Sequence, residues 1–129
     1  MYCLDSDVII ENFRGNEKIK SRMMFISKYE LFVTPITLCE LFRGAFLSNK
    51  IQENLLLVNK LLEKVDLLQF DKYACEIFGK DYGLLKKQGK LTQDNDLMTA
   101  SLCIADNLVL ITKNKKHYEN IKGLKFEEW

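Results

Sequence analysis

One proline, one histidine and one tryptophan occur in 129 residues. With Pro35 as the only proline, no linker, repeat or low-complexity stretch divides the chain, so a single domain over residues 1–129 is expected. No apolar run approaches the roughly 20 residues that cross a bilayer, so no membrane partner is expected. The short apolar start carries Asp5 and Asp7 and lacks a basic leader, unlike a secretory signal. Charge of one sign is missing too: 19 basic residues against 18 acidic leave a net +1. Basic residues nevertheless gather at 14–22, 86–90 and 113–116, which permits a nucleic-acid ligand without requiring one.

There is no CxxC pair to suggest zinc or redox chemistry. Cys3, Cys39, Cys75 and Cys103 are far apart, each among apolar neighbours. All four are expected to be buried, reduced thiols, which implies a cytoplasmic setting. No Gly-rich phosphate loop or nucleophile-activating pair is visible, which disfavours a phosphatase or a receiver-like protein.

What is present alternates between two periods. Residues 1–5 read as a short buried strand, followed by a helix over 8–13 that Arg14-Gly15-Asn16 stops. A second helix is expected over 23–29, a strand at 31–35, a helix from Thr37, and an amphipathic helix over 51–64. "VDLLQF" at 65–70 reads as a third strand, and a helix follows from Asp71 to about Gln88. After the Gly89 break come a helix within 94–107, a β-branched strand at 108–112 and a last short strand near 124–126. Strands separated by helices give an α/β fold in three α/β/α layers, its central, mainly parallel sheet having four to five strands.

In such a sheet every helix starts at the edge where the strands end. Asp5 at the end of the first strand, Glu40 in the helix after the second and Asp96 in the helix before the fourth therefore share one rim. Each has a plainer explanation: Asp5 or Ser6 could cap the first helix, Thr37-Leu38-Cys39-Glu40 spells a capping box, and Asp94 with Asp96 suits a helix dipole. Together they would repel one another in apolar surroundings unless a cation intervened. Oxygen ligands alone select a hard ion, Mg²⁺ or Mn²⁺, able to activate water against a phosphodiester. Asp7 would help through a water or cap the helix.

These segments resemble a known family. "LDSDVIIENFRG" resembles the start of PIN-domain nucleases, "VTPITLCELFRGA" their second acidic motif, and "DNDLMTASLCIADNLVLITKNKKHYENIKGL" their third acidic helix and following strand. The closing "IKGLKFEEW" is similar to the tail of the VapC-type toxins of toxin–antitoxin pairs. The resemblance implies that Asp5, Glu40 and Asp96 are the catalytic, metal-binding acids, that Ser6 assists, and that Thr112 and Asn114 form the polar pair closing the fourth strand. Family members often carry a fourth acid where this chain has Asn114 or His117, and Glu119 sits off the usual position. It further implies a Mg²⁺- or Mn²⁺-dependent endoribonuclease acting on an RNA substrate, a homodimer, and inhibition by a small VapB-type antitoxin. The alternative is a catalytically weak PIN-fold protein that binds or processes RNA.

Three basic residues, Arg14, Arg43 and Lys113, are candidates for phosphate contact. His117, in "KNKKHYE", reads as an exposed loop residue. The stripe Leu55, Leu56, Val58, Leu61 and Leu62, with Phe42 and Phe46, is the expected groove for a partner helix.

Overall fold

The computed structural model describes residues 1–129. The strands are β1 (Tyr2–Leu4), β2 (Leu31–Val33), β3 (Asp66–Leu67), β4 (Val109–Ile111) and β5 (Lys125–Glu127). The helices are α1 (Ser6–Phe13), α2 (Glu17–Phe25), α3 (Pro35–Leu47), α4 (Ile51–Leu62), α5 (Lys72–Lys87), α6 (Asp94–Ala105) and the one-turn α7 (Lys115–Tyr118). The sheet runs β3-β2-β1-β4-β5, with every pairing parallel.

Alternation along the strands builds two cores. Cys3 and Leu110 face one side, where they pack with Leu97, Ala100, Cys103 and Tyr118 beneath α5 and α6. Leu4, Ile111, Leu31 and Val33 face the other, against Val8, Ile9, Leu41, Val58 and Leu61 of α1, α3 and α4. Because both faces are covered, the central strands are apolar throughout, as buried parallel strands must be. The three-layer α/β/α expectation holds.

Boundaries moved where caps decide them. The second helix begins at Glu17 because Asn16 accepts from the Lys18 and Ile19 N–H groups; the residues expected to be its end form a 3₁₀ turn over Lys28–Glu30. α3 starts at Pro35, whose missing N–H costs nothing in the first turn, and Thr34 caps it by accepting from Thr37 N at 2.9 Å. The Thr37–Glu40 capping box therefore does not exist. The third strand is only two residues long.

Two cysteine expectations need correction. Cys3 and Cys103 are buried, but Cys39 and Cys75 are exposed, because α3 and α5 turn those positions away from the sheet.

Chain order places a switch point. From β1 the chain steps outward through β2 to β3, then returns to the other side of β1 as β4 and β5. Crossovers leave β1 and β4 toward opposite faces, so a crevice opens where these two strands end. Asp5 and Thr112 are the residues that immediately follow those ends.

Candidate active site

Asp5 is the centre of the crevice. Its N–H bonds to Ile111 O at 2.9 Å, which prolongs the β1–β4 ladder by one rung and fixes the residue. Its Oδ1 accepts from Ser6 N at 2.8 Å, so Asp5 does cap α1. Capping uses one oxygen; the other, Oδ2, accepts from Thr112 Oγ1 at 2.9 Å and from the Tyr118 hydroxyl at 2.9 Å. Burial, then the charge of Asp7, raises the pKa of Asp5 above the ordinary carboxylate range, and these hydrogen bonds partly offset the rise.

Asp7 does not cap a helix. Its Oδ2 accepts from Lys113 N at 2.9 Å and lies 3.3 Å from Thr112 Oγ1, tying the turn after β4 to the start of α1. Its Oδ1 is buried without a hydrogen-bond partner, and burial raises its pKa.

Asp96 stands in the first turn of α6, where Gln93 precedes the helix and no side chain caps it. The Tyr118 hydroxyl is 3.4 Å from Asp96 Oδ1. Oδ2 is buried and makes no hydrogen bond, although His117 Nδ1 lies 3.0 Å away. Burial raises the pKa of Asp96; His117 opposes the shift, and the charges of Asp5 and Glu40 add to it. Glu40, one turn into α3, accepts from Asn95 Nδ2 at 3.3 Å, which joins the second acidic helix to the third.

The Tyr118 hydroxyl thus spans Asp5 and Asp96, while Glu40 is tied to α6 through Asn95, the neighbour of Asp96 in the chain. Ser6 contributes its backbone N–H. Thr112 is buried, donates to Asp5 and lies 3.3 Å from Asp7, while Asn114 gives its backbone N–H to Thr112 Oγ1 at 3.0 Å and leaves its side chain exposed. Lys113 Nζ is 3.3 Å and Arg14 Nη1 3.4 Å from Glu11, which occupies both cations. Arg43 lines an open cavity of about 290 Å³ with Glu40 and Asn95.

His117 is half exposed as expected, but it lies in α7 against Asp96 rather than in a free loop. Tyr118 escaped the sequence reading altogether. The only signal was an aromatic residue next to that histidine, where the surrounding "KNKK" and "EN" suggest solvent.

No three His, Cys, Asp or Glu side chains already stand at the spacing of a closed metal site. The donor chemistry still fits a hard cation. Two buried carboxylate oxygens, Asp7 Oδ1 and Asp96 Oδ2, accept no hydrogen bond, and desolvation pushes Asp5, Asp7 and Asp96 toward protonation, with His117 beside Asp96 opposing the shift there. Asp5, Asp96 and Glu40 are the residues that would hold the ion.

Away from the acids, an apolar groove of about 340 Å³ begins at Glu40 and runs between α1, α3 and α4, lined by Ile10, Phe13, Leu41, Ala45, Leu57 and Val58. It continues past Phe13 and Leu57 into a cavity of about 550 Å³ that holds Met23, Met24 and Leu61, with Lys20, Lys28, Lys60 and Lys64 around it. The expected groove is corrected here: Phe42 packs against the core and Phe46 points to solvent, so neither lines it.

The sequence profile of the PIN domain matches residues 2–123. Ribonuclease VapC1 of Haemophilus influenzae is 32% identical over 131 residues, covering 100% of this chain and 98% of that protein. The crystal structure of VapBC2 from Rickettsia felis bound to a DNA fragment from their promoter superposes with a TM-score of 0.93 at 25% identity, covering 99% of this chain and 98% of that one. VapBC-1 from nontypeable Haemophilus influenzae gives 0.90 at 33% identity, covering 99% and 97%.

Proposed function

Because this chain belongs to the PIN-domain family, we propose that it is a divalent-metal-dependent endoribonuclease of the VapC type, held in check by a small antitoxin. The observation that carries the proposal is the rim itself. Asp5, Glu40 and Asp96 come from three separate elements near the topological switch point, where one oxygen of Asp96 and one of the neighbouring Asp7 are buried and accept no hydrogen bond.

The chain's own residues divide the work. Thr112 and Tyr118 lock the Asp5 side chain by donating to Oδ2, while Oδ1 accepts only from the Ser6 N–H and keeps a lone pair for a further partner. Asn95 holds one Glu40 oxygen against the start of α6. Arg43, unlike Arg14 and Lys113, makes no ion pair and lies beside Glu40, where its guanidinium can hold a phosphate adjoining the scissile bond. A bound Mg²⁺ or Mn²⁺ would neutralise charge on the phosphodiester and make an attacking water more acidic.

Control follows from the groove. Its Glu40 end opens on the acids, so an antitoxin helix seated on Ile10, Phe13 and Leu57 could extend a basic side chain to the place the cation needs. The related structures are of VapBC pairs, which supports this partner. A homodimer and a cytoplasmic setting accompany the same proposal.

Purified protein freed of any partner should cut RNA in Mg²⁺ or Mn²⁺ and stop in excess EDTA. RNA that is bound but left intact at every metal concentration would favour a catalytically weak RNA-binding protein instead.

A further inference from the structure

A second cavity adjoins Asp96 on the side away from Glu40. It measures about 440 Å³ and lies between the turn preceding α6 and the α7 segment. Lys90 and Lys116 stand on it as exposed cations, Gln93 and Asn120 add two carboxamides, and Leu91 and Ile121 supply the apolar surface. None of the contacts that organise the acids uses these six residues.

Resting on the ribonuclease reading above, we propose that this cavity is a single-nucleotide subsite that takes the base of the ribonucleotide flanking the scissile phosphate and sets which base stands beside the cut.

Four features support it. Asp96 and His117 line both the cavity and the acid site, so an occupant is within one phosphodiester of the bond to be broken. The volume lies within the range of small-ligand sites and suits one nucleotide rather than a helix or a peptide. Each carboxamide offers a donor and an acceptor, the pair needed to tell one Watson–Crick edge from another, while Leu91 gives a face for the ring. Two lysines without an ion-pair partner match the phosphate of that nucleotide.

The flanks of the acid site are unequal. The cavity on the Glu40 side is smaller, about 290 Å³, and its one carboxamide, Asn95, is committed to Glu40. That side can hold a phosphate on Arg43 but has little left with which to read a base. Base selection therefore falls on the Gln93 and Asn120 side.

The test separates binding from turnover. Protein in EDTA is titrated with each of the four ribonucleoside 5′-monophosphates and, separately, with inorganic phosphate, while amide resonances are followed by NMR. At least one nucleotide should shift the amides of residues 90–93 and 116–121 and bind several-fold more tightly than phosphate. Lys90→Ala with Lys116→Ala should weaken that binding roughly tenfold. Gln93→Ala with Asn120→Ala should level the differences among the four bases and, on a long RNA with Mg²⁺, spread cleavage over sites the unaltered protein leaves intact. Nucleotides that bind elsewhere or no better than phosphate, or a cleavage map untouched by the Gln93 and Asn120 changes, would overturn the proposal. Nucleotide bound in the cavity by a protein that cuts no RNA would instead overturn the ribonuclease reading and leave the pocket standing.

Discussion

The hydroxyl of Tyr118 donates to Asp5 Oδ2 at 2.9 Å, joining residues 113 positions apart at the point where β1 and β4 end. The same hydroxyl lies 3.4 Å from Asp96, so one proton serves the gap between two carboxylates. Burial and both carboxylates push the Tyr118 pKa far upward, which keeps it a donor at any working pH.

Tyr118→Phe should therefore cost about 2 kcal/mol at neutral pH, the worth of a hydrogen bond to a charged group, measured by urea unfolding. This bond lowers the Asp5 pKa, so its contribution is present at high pH and lost as pH falls through the folded-state value. The gap between variant and parent should close in acid. An equal deficit at every pH would assign Tyr118 to core packing alone.

Asp5, Asp7 and Asp96 all have pKa values raised by burial. Folded protein then holds more protons than unfolded protein between the ordinary carboxylate value and the raised one, so stability climbs as pH falls through that window. The metal-free form should gain melting temperature as pH is lowered through that window. Melting curves that only decline on acidification would contradict the buried charge inferred here.

Asp96→Asn removes a charge that burial penalises and that His117 offsets only in part. The metal-free variant should melt roughly 4 °C higher, equivalent to about 1 kcal/mol in a chain of this size. Cleavage should fall by more than about 100-fold, since even outer partners of a metal site are worth up to that factor. A destabilised variant with normal turnover would make Asp96 a helix-dipole residue and nothing more.

His117, rather than Asn114, is the position from which a fourth acid would act, because its ring already lies 3.0 Å from Asp96 while Asn114 contributes to the site only its backbone N–H, to Thr112. His117→Glu should lower the Mg²⁺ concentration for half-maximal cleavage and lower the melting temperature without metal. Asn114→Asp should do much less of either. Equal effects from the two would mean that the turn after β4 rearranges when metal binds.

Ile10→Asp places a charge in the apolar groove beside the acids. Co-expressed with a cognate VapB-type antitoxin, this variant should arrest growth and purify without the partner, whereas the parent should be neutralised and co-purify. Retention of the partner would move its seat to the lysine-rimmed cavity near Met24.

The sequence made the fold readable because the central strands are continuous apolar runs and the helices between them have clear faces. It also placed Asp5, Glu40 and Asp96 on one rim, since parallel topology delivers strand ends and helix starts together. Caps were harder to read. Asn16 looked like part of a turn, and Thr34 with Pro35 displaced the apparent box at Thr37, because identical side chains can cap or not depending on the backbone before them. Tyr118 was invisible for another reason: whether an aromatic residue in a polar stretch points inward depends on a four-residue helix that has no periodicity to recognise.

A parallel titration of Mn²⁺ tests most directly whether the carboxylate rim binds the cation that RNA hydrolysis needs. Ion binding is followed by electron paramagnetic resonance and RNA cleavage by gel, for the parent protein and for Asp96→Asn. Occupancy and cleavage rate should rise together in the parent, and both should be lost in the variant while its circular dichroism is unchanged. Full-rate cleavage in excess chelator, or a variant that binds no Mn²⁺ yet cuts RNA at the parental rate, would contradict it.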